Sequence, residues 1–193
     1  MKGIVRRMLR PISRPLSRMR CRRGFGVHSP FAFRFINDII NEQRRYGYAA
    51  YSAINRIARS TGTSSAMLRR YYRLLVMADT TVMYPGSDRA FQEVTRLYHP
   101  SKRASVTNTA QQKKSPAGEV WVISSPDDPM PPIEQCCARR IHTFVVWPDI
   151  RSEAISLRLS EAMAKRTSGQ VFFIGHAAIM VLTSSLAAKD YRL

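Results

Sequence analysis

From Thr80 onward the pattern of apolar and polar positions alternates between two periods. Short runs dense in β-branched and aromatic residues predict strands at Thr81–Tyr84, Ala104–Asn108, Glu119–Ser124, His142–Trp147, Val171–Gly175 and Ile179–Thr183. Between them, apolar residues recur every three or four positions and predict helices over Ser87–Tyr98, Pro132–Arg140 and Ser152–Lys165. In the first helix Ala90, Phe91, Val94 and Leu97 form one stripe, with Ser87 placed as N-cap. Thr143–Trp147 is nearly continuous in apolar character, as expected of a parallel strand covered on both faces. Only Gly175–Ala178 separates the last two strands, so they should form an antiparallel hairpin, placed at one edge of the sheet. The alternation predicts an α/β three-layer sandwich: a mostly parallel sheet of about six strands with an antiparallel C-terminal hairpin.

Upstream the pattern is helical. Ser29 is placed to cap a helix with Pro30 at its first position, where a fixed φ and a missing N–H are harmless. Phe31, Phe35, Ile39 and Ile40 then share one face, and Ile54, Ile57 and Ala58 recur at the same spacing. After a turn at Ser60–Ser65, a helix over Ala66–Ala78 points Leu68, Tyr71, Tyr72 and Leu75 inward and Arg69, Arg70 and Arg73 outward. The chain thus divides into an arm (1–23), a helical region (24–78) and an α/β domain (79–193).

Charge changes the picture mainly in the arm. The 193 residues carry 31 Lys and Arg against 13 Asp and Glu, a net charge of +18. Lys2, Arg6, Arg7, Arg10, Arg14, Arg18, Arg20, Arg22 and Arg23 supply half of that excess, with no acidic residue among them. Such a segment is suited to an anionic membrane surface or to nucleic acid, or is a solvated leader. Ile4, Val5, Met8 and Leu9 add a short apolar face that ends at Pro11. No apolar run approaches the roughly 20 residues that span a bilayer, and arginine interrupts any signal-like apolar core. Three cysteines, Cys21, Cys136 and Cys137, lack framework or zinc-site spacing. Together these features predict a cytoplasmic protein, peripheral to the membrane if the arm engages lipid.

Candidate chemistry centres on Thr80–Leu97. A strand ending at Tyr84, a tight turn through Gly86 and an amphipathic helix is how a nucleotide-type cofactor site opens, with free N–H groups at the helix start. His28, in the Gly24–Ser29 loop, is either hydrogen-bonded to backbone or turned toward a ligand. Asp127 and Asp128 either bind a divalent ion or cap the turn that follows them.

The segment Gly26-Val27-His28-Ser29-Pro30-Phe31 resembles the helix start of a bacterial group of class I S-adenosylmethionine-dependent methyltransferase-like proteins. Asp149-Ile150-Arg151-Ser152 is a partial match to a second stretch of that group. Val171–Ile174 and Lys189–Leu193 are similar to its closing strand and tail. The likeness covers about half the chain. It implies a Rossmann-like fold that transfers a methyl group to oxygen of a small molecule, with Asp149 as base and His28 as the alternative. Tyr84, Gly86, Ser87, Asn108 and Ser124 would hold S-adenosylmethionine.

The departures are specific. The turn after the first strand has one glycine and a proline, Pro85, that offers no N–H. Asn108 stands where such enzymes place a carboxylate for the ribose hydroxyls. Ala110–Gly118 is far shorter than the helix, strand and helix of the family, and Ser124-Ser125-Pro126-Asp127-Asp128 replaces an Asp-Gly pair. These changes predict weak or absent cofactor binding. They leave two functional readings: a methyltransferase homologue with eroded cofactor motifs, or a basic peripheral protein acting through residues 1–23.

Overall fold

The computed structural model describes residues 29–42, 50–78, 82–105 and 118–193. The arm, His28 and Asn108 lie outside the described residues. Ser29 accepts the N–H of Ala32 at 3.3 Å and Pro30 opens α1 (Pro30–Phe35), as the pattern predicts. The helix continues through a π-helical turn, Ile36–Ile40. Helices α2 (Tyr51–Thr61) and α3 (Ser65–Met77) follow, the latter capped by Ser64.

The α/β alternation then runs β1 (Val82–Tyr84), α4 (Arg89–Ser105), β2 (Glu119–Val122), α5 (Ile133–Ala138), β3 (Thr143–Trp147), α6 (Glu153–Lys165), β4 (Gln170–Ile174), β5 (Ala177–Leu182) and β6 (Lys189–Arg192). The six strands form one sheet in the order β1-β2-β3-β5-β4-β6. β1, β2 and β3 are parallel neighbours. β5 runs against both β3 and β4, and β6 lies parallel to β4. Five strands therefore share a direction and β5 alone is reversed.

Two expectations are corrected here. The β4–β5 hairpin is not at the sheet edge, because β5 is inserted beside β3 and β6 closes the outer side. Ala104 and Ser105 end α4 rather than beginning a strand, and the remainder of that candidate, 106–108, is outside the described residues. The sixth strand is β6, whose Tyr191 alone is buried.

The sheet is covered on both faces, which gives three layers. On one face Phe35, Ile36, Leu68, Tyr71, Phe91 and Val94 pack with Val120, Phe144, Phe172 and Val181. On the other, Ile133, Cys136, Ile155 and Leu159 pack with Val145, Trp147, Val171 and Met180. β3 is buried at all five positions for that reason. Phe35 anchors the first layer, its ring 4.6 Å from that of Phe172 and 6.2 Å from that of Phe144. The helices upstream of β1 thus share one core with the sheet. No helix among the described residues is long and apolar enough to cross a membrane.

Candidate functional site

The first two strands are parallel neighbours, so their carboxyl ends bring the turns that follow them side by side. Gly86 makes the first turn possible. Its φ is +69°, and a Cβ there would lie 2.7 Å from the carbonyl oxygen of Val122 and 2.9 Å from Oδ2 of Asp128. Only glycine tolerates both the left-handed backbone and that approach. Gln92, one turn into α4, donates from Nε2 to the Gly86 carbonyl at 3.0 Å.

The helix is capped by Asp88, not by Ser87. Oδ1 of Asp88 accepts the Ala90 N–H at 2.8 Å, and the helix begins at Arg89. Ser87 instead faces the turn after β2. Its N–H donates to Oδ1 of Asp128 at 2.8 Å, and its hydroxyl lies 3.4 Å from that of Ser124. The Asp88 N–H donates to the Ser124 hydroxyl oxygen at 3.2 Å.

Asp128 sits at the centre of this arrangement, only 6% exposed. Its Oδ2 accepts the N–H groups of Ser124 and Ser125 at 2.7 and 2.8 Å and the Ser124 hydroxyl at 2.9 Å. Burial by itself would raise the pKa of this carboxyl. The hydrogen bonds from Ser125, Ser124 and Ser87 outweigh burial and hold it below its ordinary value. An ionised carboxylate thus occupies the space between the turns and accepts the backbone N–H groups of Ser87, Ser124 and Ser125. Arg158 of α6 ties the second turn down from outside, donating to the carbonyls of Ser125, at 3.3 Å, and Pro126.

The structure therefore brings Gly86, Ser87 and Ser124 together. Tyr84, at the end of β1, stacks on Trp121 with ring centroids 3.6 Å apart and is 39% exposed. Asp149 follows β3 and is exposed. Both its carboxylate oxygens are held by Arg151, with Nε–Oδ1 at 2.9 Å and Nη2–Oδ2 at 2.5 Å. Arg151 also keeps the Asp149 carboxyl below its ordinary value, so its affinity for a proton is reduced.

Of the two acidic neighbours, Asp128 does cap, but it caps the turn before it and reaches across to Ser87. Asp127 is exposed, its N–H donating to the Ser125 hydroxyl at 3.3 Å. Among the described residues no group of three or more His, Cys, Asp or Glu is placed to hold a metal ion. The Ser-Ser-Pro-Asp-Asp composition carries a signal for the local part of this network, since Asp accepts nearby N–H groups in turns. Nothing in the spacing points to Ser87.

Sequence reasoning also missed Arg73. Expected on an outward face, it is 3% exposed and holds the carbonyls that end the π-helical turn. It donates from Nε to Ile39 O at 2.8 Å and from Nη1 to Glu42 O at 3.3 Å and to the Tyr51 hydroxyl at 2.9 Å. A cation at a helix C-terminus suits the unpaired carbonyls there.

Comparisons with protein-family models, with curated proteins and with solved structures return no match.

Proposed function

We propose that this chain is a methyltransferase homologue of Rossmann-like fold whose cofactor turn is closed, and that it acts without S-adenosylmethionine chemistry. The observation that carries the reading is Asp128. The β1–α4 turn lies where nucleotide-type cofactors bind in α/β sheets, at the carboxyl ends of strands. Its Ser87 N–H is already spent on an internal carboxylate 2.8 Å away. A ligand would have to displace an ionised, hydrogen-bonded group and leave its donors to be satisfied anew.

Two further features support the ancestry. The Gly26–Phe31 segment leads into a helix that packs on the sheet through Phe35. The reversed β5, paired between β3 and β4, suits the C-terminal hairpin that the resemblance implies. Asn108 adds to the loss of affinity, because replacing a charge-assisted hydrogen bond to the ribose removes roughly 1.5–3 kcal/mol, or about one to two decades. On this reading the basic arm supplies attachment to an anionic membrane surface or nucleic acid.

Titration calorimetry with S-adenosylmethionine tests it. The expected result is no saturable binding in the micromolar range. A dissociation constant near a micromolar would overturn the reading and return the chain to the small-molecule methyltransferases, with Asp149 and His28 to be examined for proton transfer.

A further inference from the structure

Between the π-helical turn, α2 and α3 lies a cavity of about 760 Å³, a volume within the range of small-molecule sites. Tyr51, Ser52 and Asn55 line it from α2, and Arg69, Arg70 and Arg73 from α3. Among its lining residues Glu42 is the one carboxylate, against three guanidinium groups. Residues 43–49, which join Glu42 to Ala50, lie outside the described residues.

The three arginines do different things. Arg73 is committed to structure, since its donors go to the Ile39 and Glu42 carbonyls and the Tyr51 hydroxyl. Arg70 spends Nε on the Ile40 carbonyl at 3.1 Å, and both its terminal nitrogens are without a hydrogen bond among the described residues. Arg69 donates from Nη2 to Oδ1 of Asn55 at 2.7 Å and lies over the Tyr51 ring, 5.0 Å from its centroid. Its Nε is buried with no hydrogen-bond partner among the described residues. Neither Arg69 nor Arg70 forms an ion pair with a described residue.

This is a costly arrangement. Like charges three residues apart on one helix face repel, and the burial of Arg73 with the partial burial of Arg69 and Arg70 reduces the water that would screen them. The strain registers on Arg70, whose pKa is pushed down by burial and then by the charge of Arg73. An anion placed among these groups would relieve both terms. Planar guanidinium forks match phosphate oxygens in pairs.

We propose that this cavity binds the phosphate group of a soluble small molecule, with Arg69 and Arg70 contacting the phosphate oxygens and Arg73 positioning them from behind. The cavity shares no lining residue with the closed cofactor turn, whose network joins the ends of β1 and β2. Its ligand is a phosphomonoester or diphosphate, because the donors are several and the space exceeds that of a single ion.

Titration of the full chain with inorganic phosphate and pyrophosphate at low salt tests it, with R69Q, R70Q and R140Q alongside. Arg140 is exposed in the bend between α5 and β3, lines no part of the cavity, and serves as the control for general charge. Binding to the basic arm is common to all four proteins and cancels in the comparison. The expected result is saturable one-site binding of pyrophosphate, weakened about tenfold or more in R69Q and in R70Q and unchanged in R140Q. R70K should recover part of the loss. Circular dichroism and thermal melts establish that each variant folds. R69Q keeps the assay decisive if R70Q does not fold, since among the described residues the Arg69 side chain donates only to Asn55. No saturable binding by the native chain, or equal binding by R69Q and the native chain, overturns the proposal.

Discussion

The carboxylate of Asp128 accepts the backbone N–H of Ser87 at 2.8 Å, across 41 positions of sequence. That one bond joins the turn after β1 to the turn after β2. The same side chain also satisfies both N–H groups that begin the second turn. A residue that reads as a surface acid is therefore the centre of the sheet's carboxyl end.

Replacing Asp128 with asparagine keeps the volume but turns an amide donor toward N–H groups that need an acceptor. D128N should lose about 2–3 kcal/mol of stability. Urea unfolding followed by circular dichroism measures it, as a lower midpoint at unchanged slope. An unchanged midpoint would mean that water replaces the carboxylate.

The same group sets a dependence on pH. Hydrogen bonds hold its folded pKa below the unfolded value, burial notwithstanding. Its contribution is then complete above the unfolded value near 4 and is lost as pH falls through the lower folded value. The stability gap between native protein and D128N should stay constant around neutrality and narrow below about pH 4. Unfolding midpoints across an acid series check this, and a gap that widens on acidification would contradict it.

Gly86 and Gly62 share a left-handed backbone, with φ of +69° and +72°, but not the same surroundings. A Cβ at Gly62 meets nothing within 4 Å, whereas one at Gly86 meets the Val122 carbonyl oxygen at 2.7 Å. G62A should cost only the conformational strain of about 1–2 kcal/mol. G86A should cost more, because β1 and β2 must separate to admit the methyl group. Thermal melts of the two variants isolate the steric part, and equal losses would refute the close approach.

Phe35 should be the costliest single truncation in the N-terminal helices. Its ring lies against Phe144 and Phe172 on two different strands. F35A should destabilise by about 3–5 kcal/mol through lost burial and the cavity left behind. The exposed Phe33 serves as the comparison, and F33A should change the unfolding midpoint little.

Periodicity located β2, β3 and the β4–β5 hairpin, because strands buried on both faces are dense in apolar residues whatever they pair with. β6 escaped it. Lys189-Asp190-Tyr191-Arg192 has one inward side chain, and its register is fixed by parallel pairing to β4 and by Arg166 bonding Asp190 at 2.7 Å. Both are tertiary facts. At the candidate site, the tight turn through Gly86 was legible from strand, glycine and helix in order, but the cap is Asp88 rather than Ser87, and Ser124 entered only through the resemblance. The role of Asp128 was not, since its partner Ser87 lies in a different βα unit. Arg73 was misread for a related reason: its acceptors are backbone carbonyls, which every residue carries and no spacing reveals.

β3 is buried along its whole length, yet the strand that covers its second edge comes much later, Thr143 pairing with Leu182. Ser29, at the start of the first described helix, likewise waits for Gln170, whose Nε2 donates to its hydroxyl oxygen from 141 positions away at 3.1 Å. During synthesis, therefore, Phe144, Val145, Val146 and Trp147 form an apolar strand with one unpaired edge until β5 emerges. An open edge of that kind is a template for pairing with another chain. The reversed strand thus acts as the molecule's closing bolt against aggregation, and a chain interrupted between β3 and β5 is the form most exposed to it.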